Sequence, residues 1–222
     1  WYAYVNCDPV SWLDPWGLEC PDQESGADMA RNADSNGRGW KFSSENIEAL
    51  ETGIKNVQEN IGYLVEEVIK GLEDSQYNIQ ESIVTNAKDC VGLDLAKSND
   101  KVLFLEDIAR LSETALTLDI SKMHTSEPTP EPYGAWVNRY DSDHNIYFPP
   151  LSSLVFSGLS VDTVESLLFH EISHFADSLN TIDDYEIKRL ADIPERIPEN
   201  KRRLYAQAWH WFYLAVFEGK KR

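Results

Sequence analysis

Cysteine is scarce: the 222-residue chain has three, and Cys7 and Cys20 lie near its start, which leaves Cys90 alone in the main body. A disulfide framework therefore does not hold the fold, and the main body is expected to fold in a reducing compartment. No run of about 18 apolar residues occurs, so no membrane-spanning helix is expected. Positive charge is also in short supply, with 20 Lys and Arg against 38 Asp and Glu and a net charge of −18. That balance excludes broad contact with phosphate backbones and leaves basic peptides, or plain solubility, as its consequence. The chain opens on Trp1 with neither an initiating Met nor a basic-then-apolar leader, and is expected to be a segment of a longer protein. What is present is a 42% apolar fraction and seven Trp, enough for a packed core in one substantial domain with an appendage.

Three segments are expected. Residues 1–18 carry a short aromatic strand and two Asp-Pro turns, too little to fold alone. Residues 19–42 are rich in Gly, Asp, Ser and Asn and read as a flexible linker. Residues 43–222 form the main domain. Within it, Ser43 or Ser44 caps a helix in which Ile47, Leu50, Ile54, Val57, Ile61, Leu64 and Val68 recur at spacings of three and four, ending near Gly71. A second helix is expected within Glu73–Asp89, and a third over Leu103–Leu116 through Leu105, Ile108, Leu111 and Ala115. Further on, Thr117–Ile120 reads as a short strand. Ala135–Tyr140 and His144–Phe148 alternate as two strands of a hairpin around Asp141-Ser142-Asp143. Asp162, with Glu165 three residues later, is expected to open the next helix.

That helix contains the pattern that carries chemistry. His170, Glu171 and His174 stand as H-E-x-x-H among Val164, Leu167, Leu168, Phe169, Ile172 and Phe175. Residues four apart on a helix lie one turn above each other, so both imidazoles leave one face and can grip a single metal ion with a carboxylate beside them. Two His, a third ligand from elsewhere and a Glu that takes a proton from water are the parts of a zinc peptidase site. The apolar frame predicts burial, and burying two imidazoles and a Glu is costly unless a cation joins them. A long form of this motif needs Gly three residues after the second His and a third His three further on. Asp177 and Asn180 occupy those places and exclude it. Glu195 or Glu199 on a following helix qualifies by distance as third ligand. His144 is read as a surface residue of a polar turn, His124 as lacking a ligand-spaced partner, and His210 as packing in or near the site. Arg202 and Arg203 read as a solvated face.

Two resemblances extend these readings. Residues Tyr2, Tyr4, Val5, Asn6 and Pro9, followed by Asp14, Pro15, Gly17 and Leu18, resemble the closing signature of the Rhs-repeat core, with Cys7 and Asp8 where Asn is more usual. That resemblance implies a β-cage shell upstream, self-cleavage between Leu18 and Glu19 with Asp14 in the cleaving machinery, and a released C-terminal toxin. It also implies a cognate immunity protein and delivery into a target cell, with a type VI secretion route.

The segment from Tyr133 onward, with GAWVNRY, HNIYFPPLSSLVF, LLFHEISHF and LYAQAWHWF in that order, resembles the aspzincin or deuterolysin metallopeptidases. In that family H-E-x-x-H is followed by G-T-x-D-x-x-Y-G. Here Asn180 replaces the first Gly, Glu186 stands at the Tyr position with Tyr185 one residue early, and the family's cysteines are missing. The resemblance implies a mainly helical α+β, zincin-like domain with a small hairpin or sheet beside the motif helix. It further implies one Zn²⁺ held by His170, His174 and Asp183, Asp184 being the fallback, with Glu171 as catalytic base and Tyr185 stabilising an oxyanion. A protein or peptide substrate would lie extended along a strand edge, expected at Ile146–Phe148. Other readings of the same residues are a non-enzymatic binding or plug module with a degenerate motif and a metal-dependent peptidoglycan hydrolase.

Overall fold

The computed structural model describes residues 42, 44–125, 135–148, 163–184 and 191–218. Asp14, Leu18, Glu19, the Pro-rich segment before Ala135, Asp162 and Tyr185 lie outside the described residues.

The apolar stripe of the first segment becomes α1, Ser44–Glu73. Leu50, Ile54, Val57, Ile61, Leu64 and Val68 are all buried along one side, whereas Ile47 at the first turn stays exposed. Two glycines let this helix approach its neighbours. A Cβ on Gly53 would come within 2.6 Å of Val164 Cγ1, and one on Gly71 within 2.6 Å of Ile79. Both contacts are closer than carbon atoms tolerate, so the bare backbone at these positions sets the packing distance.

The second expected helix forms within its expected bounds and runs two residues past them. It consists of α2, Glu81–Asn86, continued by a π-helical turn over Ala87–Val91 that ends at Gly92 with φ of 80°. At Gly92 a Cβ would strike the carbonyl of Glu199 at 2.0 Å, and the left-handed φ already favours glycine. Helix α3, Ser98–Thr117, buries Phe104, Ile108, Leu111 and Ala115. It continues through Thr117, so the strand expected at Thr117–Ile120 is not formed. A 3-10 turn, Ile120–Lys122, follows instead, capped by Asp119 accepting from Ser121 N.

The sheet has three short strands: β1, Met123–Thr125; β2, Trp136–Val137; β3, Ile146–Phe148. The β2–β3 hairpin forms as its alternation indicated, with Trp136 opposite Tyr147 and Val137 opposite Ile146. Strand β1 then pairs parallel to β3 on its other side, giving the order β1-β3-β2. Ile146–Phe148 is therefore the central strand with both sides taken, which corrects its assignment as a substrate edge. Val137, Ile146 and Phe148 face the core, while His124, Tyr147 and Trp136 stack on the other face, with Trp136 and Tyr147 ring centroids 4.1 Å apart.

The motif helix is α4, Val164–His174. Its cap is Thr163 rather than Asp162: Thr163 Oγ1 accepts from Ser166 N at 3.2 Å, and Ser166 Oγ accepts from Thr163 N at 2.9 Å. This reciprocal box satisfies two backbone donors and is worth on the order of 1 kcal/mol. Glu165 instead accepts from Asn56 of α1 at 2.8 Å. Every residue from Ser166 to His174 is buried, as the apolar circumference required. The chain closes with α5, Asp192–Arg196, a 3-10 segment, Glu199–Leu204, and the apolar α6, Ala206–Phe217. Helix α4 thus lies between α1 and α6, with β2 also against it. Among the described residues, no helix is long and apolar enough to cross a membrane, and Cys90 is buried.

Candidate metal centre

One helix positions two of the site's groups. His170 and His174 occupy the last two turns of α4, and their Nε2 atoms face each other at 3.2 Å. Phe175 leaves the helix with φ of −58° and ψ of 140°. The chain then turns back, and Asn180 takes a left-handed φ of 53°. Asn tolerates that region better than most residues, which explains physically how it can stand where the resemblance asks for Gly.

After this turn Thr181 N donates to Ser173 O at 3.1 Å, and Ile182 pairs with Tyr205 in an isolated parallel bridge. Ile182 N donates to Leu204 O and Ala206 N to Ile182 O, each at 2.9 Å. The turn is thereby fastened to the entrance of α6, and Asp183 is delivered to the histidines. Asp183 Oδ2 lies 3.0 Å from His174 Nε2, and Oδ1 lies 3.4 Å from His170 Nε2. Both imidazoles and the carboxylate are almost fully buried.

These separations fit a zinc ion. Zn–N and Zn–O distances of roughly 2.0–2.2 Å in tetrahedral geometry place neighbouring donor atoms about 3.3–3.5 Å apart. The 3.2 Å between the two Nε2 atoms and the 3.0 Å from His174 Nε2 to Asp183 Oδ2 fall just under that value, and the other carboxylate oxygen, Oδ1, lies 3.4 Å from His170 Nε2. The tautomer of His174 fits as well. Its Nδ1 is 3.1 Å from the carbonyl oxygen of Thr181, which can only accept, so Nδ1 carries the proton and Nε2 presents its lone pair to the centre. Arg139 donates to the same carbonyl at 2.9 Å, and Ser173 Oγ bonds His170 O at 2.6 Å and Thr181 Oγ1 at 2.7 Å. Among the described residues, His170, His174 and Asp183 are the group whose ligand atoms converge within 4.8 Å.

Asp184 faces elsewhere: its Oδ2 is 3.2 Å from Arg196 Nε, and its backbone N donates to Gln207 Oε1 at 3.0 Å. Glu195 and Glu199 are exposed and outside the group. Glu171 is fully buried directly after His170. His210 lies beside the site, its ring 5.7 Å from that of His170 and its Nδ1 3.2 Å from Ser166 O.

Two expectations, for His144 and for the Arg202-Arg203 pair, are corrected. His144 is buried, not a surface residue. It adopts φ of 56°, meets Thr117 Oγ1 at 2.7 Å and Asp177 at 2.9 Å, and packs its ring on Phe175. His124, without a ligand-spaced partner, sits on β1 and bonds Asn145 at 2.8 Å. Arg203 is an ion-pair partner of the buried Asp107 at 3.0 Å, and Arg202 donates to the carbonyls of Ile197 and Asp89. Sequence reasoning missed Gln207, Arg139 and Thr181 as supports of the centre. For Gln207 a signal existed, because an amide in an otherwise apolar stretch, Ala206–Phe217, is a buried polar group in want of a partner.

The described residues form a mainly helical α+β domain with a small sheet beside the helix that carries His170 and His174. No protein-family model matches the chain, and no curated protein matches it in sequence. Among solved structures the chain is similar to a zinc peptidase from Grifola frondosa, with a TM-score of 0.53 and 16% identity, covering 77% of this chain and 95% of that one. At that identity the likeness is one of fold.

Proposed function

We propose that the chain is a zinc-dependent endopeptidase. The convergence of His170, His174 and Asp183 on a fold shared with a zinc peptidase carries this reading. A bound zinc supplies Lewis acidity, bringing the pKa of a water toward neutrality and polarising the scissile carbonyl. The chain's own groups do the rest. His170, His174 and Asp183 would hold the ion, with the His174 tautomer set by the Thr181 carbonyl. Glu171, buried on the same helix, would take the proton of the attacking water and return it to the leaving amine. Tyr185 would donate to the developing oxyanion. An extended peptide would add to β2, the strand packed on α4, since β3 is paired on both sides.

The signature at residues 1–18 supports a wider setting: a toxin freed after Leu18, before Glu19, from an Rhs shell by machinery that includes Asp14. It would be matched by an immunity protein and delivered to a target cell. The test is to express residues 19–222 and the Glu171→Ala form in bacteria, measuring bound zinc, growth, and cleavage of an unfolded protein beside isolated cell wall. One zinc per chain, with toxicity and proteolysis lost in the variant, is expected. Equal harmlessness and no bound metal would remove the reading. Cleavage of cell wall alone would move it to peptidoglycan.

A further inference from the structure

Gln207, in the first turn of α6, touches the Asp183-Asp184 segment twice. Its Nε2 donates to Asp183 Oδ1, and its Oε1 accepts from Asp184 N at 3.0 Å. These two partners fix which end of the amide is which, because a carboxylate only accepts and a backbone N–H only donates. The side chain is buried, so both bonds form away from competing water. We propose that Gln207 is a positioning residue of the metal centre: its hydrogen bond to Asp183 Oδ1 fixes the rotation of the carboxylate, with Oδ2 turned to His174 and Oδ1 to His170. The inference rests on the metal-centre reading above.

Three features favour it. Asp183 lies in a turn, where a short carboxylate can rotate about its own bonds, whereas the two histidines are fixed by one helix. Backbone pairing of Ile182 with Leu204 and Ala206 places the Asp183 Cα but leaves its carboxylate orientation undetermined. Gln207 supplies that orientation from the same stretch of chain that the pairing brings close. The partner is also neutral, so it orients the carboxylate without cancelling the negative charge a dication needs, as a Lys or Arg there would.

The test compares wild type with Gln207→Met, which keeps length and volume but neither hydrogen bond. Gln207→Glu is added because it keeps the acceptor for Asp184 N and replaces the donor. Zinc affinity is measured by competition with a chromophoric chelator, the visible spectrum of the Co²⁺-loaded protein is recorded, and metal-free melting temperatures are taken. The expected result is one zinc per chain in wild type, an affinity about 10- to 100-fold weaker in both variants, and a changed Co²⁺ spectrum. Wild-type affinity and spectrum in the variants, with only a lowered metal-free melting temperature, would overturn the inference and leave the metal centre standing. No stoichiometric zinc in wild type, or none lost on Asp183→Ala, would instead remove the centre and the inference with it. Should neither Gln207 variant fold, the side-chain amide resonance of Gln207 in wild type decides. It should shift on zinc addition, and an unmoved resonance overturns the proposal.

Discussion

The two halves of the candidate ligand set are built differently. His170 and His174 owe their placement to the periodicity of one helix, capped at Thr163 and buried along its length. Asp183 owes its placement to two remote segments: Leu204–Gln207, through its strand-like bridge and the Gln207 amide, and the Arg139 guanidinium that bonds the carbonyl of Thr181. The helical half is local and robust. The aspartate half is assembled by tertiary structure, and substitutions far along the chain should reach it.

Asp183→Ala should break the contrast most severely. It removes a ligand, so the loss in zinc affinity should exceed the roughly 10- to 100-fold typical of a supporting partner, while the helical content of the metal-free protein is kept. Chelator competition with circular dichroism checks this. Arg139→Met should follow, at about 10-fold, because it frees the Thr181 carbonyl that orients both the turn and His174. Titration of zinc into the metal-free variant reads the change.

The next effect is on stability. Burial lifts the Asp107 carboxyl to about 6, against the lowering pull of Arg203 and Arg110. The folded chain then holds this proton more tightly than the unfolded one. The contribution of this group to stability is fullest below about pH 4, the unfolded carboxyl range, and is lost as pH rises through about 6. Asp107→Asn should therefore stabilise the protein at pH 7 by up to about 3 kcal/mol and flatten that slope, as denaturant melts at pH 4 and 7 would show. The smallest effect is expected at Asn180. Its φ of 53° predicts a loss of about 1–2 kcal/mol for Asn180→Ala and little change for Asn180→Gly. Melts of the two variants side by side distinguish them.

The same contrast explains what was legible in the sequence. Helices α1, α3 and α4 announced themselves because a 3.6-residue period records which face is buried. The hairpin was visible in alternation and turn residues. The π-helical turn at Ala87–Val91 and the parallel pairing of β1 with β3 were not, since neither leaves a local pattern. His144 looked exposed because its neighbours Asp141 and Asp143 are polar, but Thr117 and Asp177 close over it from α3 and the turn after α4. In the site, His170 and His174 could be read from spacing alone. Asp183 needed a resemblance to be preferred over Asp184, Glu195 and Glu199, and the two bonds of Gln207 belong to tertiary contacts that no spacing encodes.

The central claim is that His170, His174 and Asp183 hold one zinc ion that serves peptide cleavage through Glu171. The most direct measurement is the cleavage rate of an unfolded protein by zinc-loaded wild type and Glu171→Gln, each first shown to carry one zinc per chain. A fall of about 10²- to 10⁴-fold in the variant, with zinc retained, is the predicted result. Equal rates in the two proteins, or a wild type that carries zinc and cleaves nothing, would contradict it.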